Sequence, residues 1–477
     1  MSPGDPVIGL EVHVQLRTAR KLFCGDSTEF GAEPNTHVCP VCLGLPGALP
    51  VLNREAVDLA VKAALALRCQ VHEHSVFARK NYFYPDLPKG YQISQFERPL
   101  ATGGALVLDG DEEEVRVRIR RLHLEEDAGK SLHDRIPNAT AVDLNRTGVP
   151  LAEIVTEPDL ESPPATRAFL RELKRTLEAL NVSDCNMEEG SLRVDANISL
   201  RQPNGGLGTK TEVKNLNSFS AVERALEREI HRQRETLERG EDVVQETLLW
   251  DEGAGEVRVM RTKEESHDYR YFPDPDLPPV VVPPHKVEEL RADLPELPRE
   301  RELRFRGDYE LPPYDAHVLT ATPDLADYFE EAASRVGDSK EAANWVMGPV
   351  LAAMNARGEE ARRFPVRPEG LAELVGLVAD GTISRNVAKD VLGRMLEAGR
   401  TAREVVEAEG LAQISDEAEL ERWVTEVLDA HPEEVERFRA GEARLQGYFM
   451  GEVMKRSGGR ADPKQVARLL RGKLDPA

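Results

Sequence analysis

Carboxylate and imidazole groups recur in this sequence at spacings that suit a divalent cation. Glu11 and His13 stand two residues apart in an alternating apolar and polar stretch, so a β-strand would point both side chains the same way. A denser acidic group follows later in the chain and comprises Glu125, Glu126, Asp127, Glu153 and Glu157. So many carboxylates repel one another unless a cation neutralises them, and oxygen ligands with at most one imidazole favour Mg²⁺. For the Glu11–His13 pair alone, a solvated sheet face is the alternative.

Cations interleave with carboxylates in a second region. Arg193, Asp195 and Asn197 alternate along one predicted strand. The next extended segment adds charges of both signs at Lys210, Glu212 and Lys214. Interleaved charge suits a site that binds phosphate and metal together. A charge-compensated surface is the alternative, and it is an equal one for Lys210 and Glu212.

An aromatic run at 82–84 follows the cations Arg79 and Lys80, in a chain that is poor in aromatic residues overall. A loop of this composition can stack a nucleic-acid base and hold phosphate at the same time. The alternative, which is strongest for Phe83, is that the rings pin a long loop to the domain.

The five cysteines are an odd number, which argues against a disulfide framework. Cys39 and Cys42 have the spacing of half a zinc knuckle, and Cys24 could supply a third ligand. Cys69 and Cys185 stand alone, and we expect them to be packed or surface thiols.

Strands and helices must position these groups. Alternation of apolar and polar residues predicts strands over 7–16, 115–124 and 192–201. Amphipathic helices are predicted to begin at Asn53, after Ser162 and after Ser218, because each position suits a helix N-terminus. A dense run of prolines over 272–298 marks a domain boundary, beyond which the pattern is almost wholly helical. The sequence therefore predicts an α+β fold with domains over 1–292, 293–409 and 410–477.

The charge balance disfavours nucleic-acid binding by the chain as a whole. The 62 basic and 85 acidic residues give a net charge of −23, whereas phosphate contacts need clustered Lys and Arg. The segment after Gly451 reverses this sign, with acidic residues at Glu452, Asp462 and Asp475 and basic ones at Lys455, Arg456, Arg460, Lys464, Arg468, Arg471 and Lys473. This segment is either a nucleic-acid-facing patch or a charged, solvated helix. No apolar run could span a bilayer and no secretory signal is evident, so we expect a cytoplasmic protein without membrane partners.

Seven segments together resemble the B subunit of the bacterial glutamine-dependent aspartyl/glutamyl-tRNA amidotransferase. They are 7–13, 79–86, 91–95, 121–131, 188–193, 214–218 and 268–273. The resemblance runs nearly end to end. It implies a mixed-sheet, kinase-like cradle domain, followed by a helical domain and a small helical tail domain.

The resemblance also implies an activity and partners. This family uses ATP and Mg²⁺ to phosphorylate the side-chain carboxyl of glutamate or aspartate carried on the wrong tRNA. Ammonia, which an amidase A subunit releases from glutamine, then displaces the phosphate; a small C subunit completes the complex. This chain shows no amidase signature of its own, so its ammonia would come from that partner.

Individual residues take roles by the same resemblance. The Mg²⁺ ligands would be Glu11, His13, Glu125 and Glu153. Catalytic groups would be Glu125, Glu126, Asp127 and Lys130. Nucleotide would contact Lys80, Asn81, Tyr82, Asp195 and Lys214. The tail would contact tRNA through Lys455, Arg456, Lys464 and Arg468. Many relatives carry Cys-x-Cys where this chain has Cys24-Gly25-Asp26, which makes Asp26 the candidate fourth ligand of a structural zinc.

Two other functions stay open at this point. A non-catalytic tRNA-binding adaptor would have no use for carboxylates that converge with His13. An ATP-dependent ligase acting on a small acid would not need the basic tail.

Overall fold

The computed structural model describes residues 4–109, 114–262, 269–413 and 416–474, so that Asp268 and Asp475 lie outside the described residues. Two compact units make up the chain, Met1–Leu297 and Pro298–Ala477. The first is a mixed sheet with helices and the second is helical, which confirms the predicted α+β class. Among the described residues, no helix is both long and apolar enough to cross a membrane.

The first unit is built on a large sheet. Its strands are β1 (Pro6–Gln15), β2 (Gln70–Val71), β3 (His74–Ser75), β4 (Phe77–Asn81), β5 (Tyr91–Gln95), β6 (Ala101–Leu108), β7 (Val115–Glu126), β8 (Lys130–Ile136), β9 (Ala139–Asp143), β10 (Pro150–Thr156), β11 (Leu192–Leu200), β12 (Thr211–Leu216), β13 (Glu246–Asp251), β14 (Glu256–Thr262), β15 (Phe272–Pro273) and β16 (Val280–Val281). Twelve of them form one sheet in the order β14-β13-β12-β11-β1-β10-β7-β5-β4-β15, with β6 beside β7 and β2 beside β6. Among the described strands, β12 and β13 run parallel and the other pairs run antiparallel.

The central strand β1 shows why the sheet has one apolar and one polar face. One face carries the almost completely buried side chains of Ile8, Leu10 and Val12. The opposite face carries Glu11 and His13, which are partly exposed. Strand geometry alternates side chains in this way, and burying each aliphatic side chain contributes about 1.5–3 kcal/mol. The three predicted strands are therefore confirmed, with ends that differ by at most two residues.

Helices cover the apolar face. Those that contact its strands are α1 (Arg54–Ala66), α2 (Pro163–Ala179) and α3 (Phe219–Glu238), and α4 (Pro284–Ala292) packs against α1. The side chains of Asn53, Ser162 and Ser218 each accept a hydrogen bond from a backbone amide of the following first turn. Such caps satisfy amides that have no partner within the helix, so the three predicted starts are confirmed.

The second unit contains two separate hydrophobic cores. Its helices are α5 (Pro298–Asp308), α6 (Pro313–Leu319), α7 (Pro323–Val336), α8 (Ser339–Trp345), α9 (Leu351–Arg357), α10 (Pro368–Ala379), α11 (Arg385–Ala398), α12 (Ala402–Glu409), α13 (Glu417–Ala430), α14 (Pro432–Arg439), α15 (Leu445–Arg456) and α16 (Pro463–Leu474), with a π turn over Val346–Val350 and a 3₁₀ turn over Ala361–Arg363. One core joins α5 to α12, and the other joins the last helices through Trp423, Phe449 and Leu470.

Candidate active site

A cavity of ≈ 400 Å³ opens on the polar face of the sheet, and we call it the polar cavity. Neighbouring strands supply most of its lining, which comprises Glu11, His13, Lys80, Ser94, Gln95, Phe96, Arg121, His123, Glu125, Glu153, Asp195, Glu212, Lys214, Tyr269 and Tyr271. Charged groups of both signs dominate this lining. The cavity therefore suits a ligand that carries several charges.

One group of metal-ligating atoms in the cavity consists of His13, Glu125 and Glu153. Their ligand atoms lie within 4.8 Å of one another, and His13 Nδ1 is 3.1 Å from Glu125 Oε1. The register of β1 and β10 places His13 directly opposite Glu153. Burial opposes ionisation of all three, but their charged neighbours outweigh it. The hydrogen bond with Glu125 raises the pKa of His13. The neighbouring His123, together with His13, holds the pKa of Glu125 well below its usual range and lowers that of Glu153 to about 2.

His123 lies beside this group and has no role in the sequence interpretation. It is only 2 % exposed, and its Nε2 lies 3.4 Å from Glu153 and 3.8 Å from Glu125. Burial favours a lower pKa for His123, but the two carboxylates outweigh burial and raise the pKa to about 9. Its position two residues before Glu125 on a strand was the signal that could have found it.

A second group of carboxylates in the cavity consists of Glu11, Asp195 and Glu212, whose ligand atoms again lie within 4.8 Å of one another. Lys214 Nζ forms ion pairs with Asp195 and, at 2.9 Å, with Glu212. Burial and the neighbouring carboxylates raise the pKa of Glu11. The four metal ligands expected from the sequence are thus divided between two groups, with Glu11 in the second.

Lys80 brings a cation to the wall of the cavity, between two aromatic rings. Its Nζ lies 4.9 Å from the ring centre of Tyr269 and 5.9 Å from that of Tyr82. Burial lowers its pKa, but Glu125 and other nearby groups raise it more, so the ammonium stays charged. Asn81 instead donates from its side chain to the carbonyls of Tyr269 and Arg270, which makes it a tether between segments.

The structure points the other acidic residues of the 121–131 segment away from the polar cavity. Glu126 is buried, pairs with Lys89 and accepts a hydrogen bond from the Ile93 amide at 2.9 Å. Asp127 accepts hydrogen bonds from Gln15 and Arg193, both at 3.0 Å.

Lys130 is also outside the lining of the cavity and is exposed at the start of β8. Of the four residues expected to be catalytic, Glu125 lines the polar cavity, and the other three lie outside its lining.

The cysteines converge with Asp26 at a separate place. Cys42 Sγ lies 3.6 Å from the sulfurs of both Cys24 and Cys39, and 2.8 Å from Asp26 Oδ2. The hydrogen bond from Cys24 lowers the pKa of Cys42 to about 6, and the buried Lys21, with Nζ 3.6 Å from that sulfur, acts in the same direction. Four ligand atoms within 4.8 Å of one another fit tetrahedral zinc.

The basic tail is less positive than its sequence indicates. Arg456 pairs with Glu426 at 2.6 Å, Arg468 with Glu417 at 2.7 Å, and Lys473 with Glu421 at 2.9 Å. All three glutamates belong to α13. Lys455 is 81 % exposed and lies 4.0 Å from Glu452.

Comparison with known proteins supports the family resemblance of the sequence along nearly the whole chain. The family model described as the GatB/GatE catalytic domain matches residues 6–288, and the GatB domain matches 327–474. Proteins named as the B subunit of aspartyl/glutamyl-tRNA(Asn/Gln) amidotransferase are 52% identical in Carboxydothermus hydrogenoformans, over 99% of both chains, and 54% identical in Moorella thermoacetica, over 98% of this chain and 99% of that one. The relative from Prosthecochloris aestuarii is 53% identical over 98% of each. Similarity of this extent shows that the chain belongs to the family of B subunits of the aspartyl/glutamyl-tRNA(Asn/Gln) amidotransferases, which are glutamine-hydrolysing ligases.

Proposed function

We propose that this chain uses ATP to activate the side-chain carboxyl of glutamate on tRNA(Gln), of aspartate on tRNA(Asn), or of both, and then amidates it, in the cytoplasm. A carboxylate oxygen of the substrate attacks the γ-phosphorus and ADP leaves, which gives an acyl phosphate. Ammonia then attacks the carbonyl carbon, phosphate leaves with the former carboxylate oxygen, and the new ammonium loses a proton. Phosphorylation is needed because an oxide is a very poor leaving group.

The observation that carries this proposal is the convergence of cations and carboxylates in the polar cavity. Lys80, Lys214 and Arg121 present positive charge to it, next to the two carboxylate groups. Phosphoryl transfer needs fixed positive charge around crowded phosphate oxygens. A tRNA-binding adaptor would gain nothing from this costly burial of charge.

The donor set fits Mg²⁺. His13, Glu125 and Glu153 would hold one cation and the group around Glu11 would hold another, because paired carboxylates at these distances are the ligands that hard cations prefer. Bound Mg²⁺ would supply charge neutralisation to the transferred phosphoryl group. His123, with its Nε2 facing both Glu125 and Glu153, orients these ligands.

Partners and a structural metal complete the proposal. The relatives are named as B subunits, and we propose an amidase A subunit as the source of ammonia and a small C subunit in the complex. We also propose a structural zinc held by Cys24, Cys39, Cys42 and Asp26, since their geometry suits it.

The test is ATP hydrolysis by the assembled amidotransferase, with and without misacylated tRNA. Glu125→Gln keeps the shape of the side chain but removes its charge, and should lower the tRNA-dependent rate by at least about 100-fold. Glutamine hydrolysis by the partner should be partly retained. Glu161→Gln, at an exposed glutamate outside the cavity, is the matched control. Wild-type rates in the Glu125 variant would refute a phosphorylating role for this cavity.

A further inference from the structure

A lysine is buried beside the proposed zinc site. Lys21 is 0 % exposed, and its Nζ lies 3.6 Å from Cys42 Sγ and donates to the carbonyl of His37 at 2.6 Å. Its charge also acts on Asp26: burial raises the pKa of that carboxyl, but hydrogen bonds from the three cysteines and the charge of Lys21 lower it more. We infer that Lys21 is the charge partner of the zinc site, whose ammonium donates to the Cys42 thiolate and offsets the excess negative charge of the ligands.

The ligand set itself calls for such a cation. Three thiolates and one carboxylate carry four negative charges and Zn²⁺ carries two positive ones, so the loaded site keeps a formal charge of −2. Cys42 is only 2 % exposed, so water compensates little of the charge on its sulfur. A buried charge destabilises the fold unless it is paired, and this applies to the Lys21 ammonium as much as to the thiolate. Each of the two therefore stabilises the other in the interior.

The surrounding backbone holds Lys21 in this position before a metal binds. Its amide donates to the Asp26 carbonyl at 3.0 Å, and the amide of Leu22 donates to the Gly148 carbonyl at 2.8 Å. The aliphatic stem of Lys21 runs past Gly148, where an added Cβ would lie 3.5 Å from the lysine Cδ. Because the stem and the backbone on both sides are fixed, the ammonium is already directed at Cys42. A preorganised partner of this kind loses little entropy when the metal binds.

A charge partner and a packing residue differ in what they do to the metal. This inference rests on the proposed zinc, and it gives a role to Lys21, which the sequence interpretation did not consider. A hydrogen bond from an ammonium withdraws electron density from a thiolate, so its loss changes the electronic spectrum of a metal bound there. A lysine that only filled space would stabilise the fold to the same extent with and without metal, and its loss would leave that spectrum unchanged.

Metal binding by the assembled amidotransferase tests the inference. The probes are Zn²⁺ in competition with a chelator, and Co²⁺, whose thiolate charge-transfer absorption reports the electron density on sulfur. Lys21→Met replaces the lysine by an unbranched, uncharged side chain and should weaken Zn²⁺ binding at least about ten-fold. The Co²⁺ charge-transfer band should move to longer wavelength, because the thiolate loses a hydrogen bond. Lys62→Met, at a partly exposed lysine of α1, is the control and should match the wild type in both measurements.

Thermal unfolding with and without Zn²⁺ separates charge pairing from packing. Lys21→Met should reduce the rise in unfolding temperature that Zn²⁺ gives the wild type. The inference is overturned if this variant binds Zn²⁺ as tightly as the wild type, if the Co²⁺ band does not move, or if the variant is destabilised equally with and without Zn²⁺. A wild type that binds no Zn²⁺ would refute the zinc site itself, and this inference with it. The Glu125→Gln assay does not involve Lys21, so the proposed phosphorylation stands or falls separately.

Discussion

At the scale of single residues, Asp26 stands with Cys24, Cys39 and Cys42 in one group of metal-ligating atoms. Its carboxylate is 2.8 Å from Cys42 Sγ and completes a four-atom set. We predict that Asp26→Ala lowers zinc affinity at least about ten-fold, because a ligand is lost. Asp26→Cys should raise the affinity, because Zn²⁺ binds thiolates well.

Zinc retention during titration with a chelator measures this effect. Asp242→Ala, at an exposed aspartate remote in sequence, should match the wild type. Equal retention by Asp26→Ala and the wild type would exclude Asp26 as a ligand, and a wild-type protein without zinc would exclude the site.

The residue types in the polar cavity could be predicted better than their grouping. Alternation on β1 correctly indicated that Glu11 and His13 share a face. Sequence could not show that Glu11 groups with Glu212 rather than with Glu125, because that depends on which strands become neighbours. His123 was overlooked because it is set between apolar residues, where an imidazole is usually part of the packing.

At the scale of elements, Glu330 connects α5 to α7. Its carboxylate accepts hydrogen bonds from Arg301, from Arg304 at 2.6 Å, and from Tyr309 at 3.1 Å. Burial raises the pKa of Glu330, but the hydrogen bonds from the two arginines lower it more. A carboxylate with a lowered pKa stabilises the fold above its ordinary pKa of 4.5, and this contribution is lost as the pH falls.

We therefore predict that Glu330→Gln destabilises α5 by about 1–2 kcal/mol at neutral pH. The difference from the wild type should shrink as the pH falls below 4.5, where the carboxylate of the unfolded chain takes up a proton, and should vanish below the lowered pKa of the native carboxylate. Amide hydrogen exchange in α5, measured on both sides of this pH, gives the opening free energy. Glu331→Gln is the control, since Glu331 pairs with Arg335 within its own helix and should cost at most about 0.5 kcal/mol. A pH-independent difference would contradict the ionic origin.

Local rules predicted the elements well and their arrangement poorly. Asn53, Ser162 and Ser218 begin helices because a cap is a local interaction. Glu125 and Glu126 are adjacent on β7, so they point to opposite faces, and the acidic run in the sequence overstates the charge in the cavity. The order of the strands in the sheet depends on packing across the whole unit, so no local sequence pattern predicts it.

At the scale of the whole molecule, charge should govern how tRNA approaches. With a net charge of −23, the chain repels tRNA at long range, so docking needs a locally positive surface. Helix α13 neutralises several cations of the tail. Among the described residues, Lys464 and Arg471 form no ion pair. They are seven positions apart on α16, and this spacing places them on one face.

We predict that the double substitution Lys464→Gln and Arg471→Gln raises the KM for misacylated tRNA. It should reduce the slope of log affinity against log salt by about one per lost phosphate contact. Substitution is preferable to deletion after Gly451, which would remove Val453 and Leu470 from the last core.

The measurement is tRNA binding by the assembled enzyme across a salt series. Arg437→Gln is the control, because its guanidinium pairs with Glu442 at 2.7 Å on a neighbouring part of the same core. An unchanged slope of log affinity against log salt in the double variant would show that the tail is a solvated helix. The tRNA contacts would then have to be sought in the first unit.

The position of β1 has a consequence for synthesis of the protein. Strand β1 leaves the ribosome well before its partners: its Leu10 amide binds Thr156, 146 residues later, and its Glu11 binds Asn197, 186 residues later. At roughly 5–20 residues per second, the strand would wait about 10–40 seconds for both neighbours. Throughout that interval its apolar face and both backbone edges are available to other nascent chains. Because this closure is slow and non-local, we expect the growing polypeptide to depend on ribosome-associated chaperones.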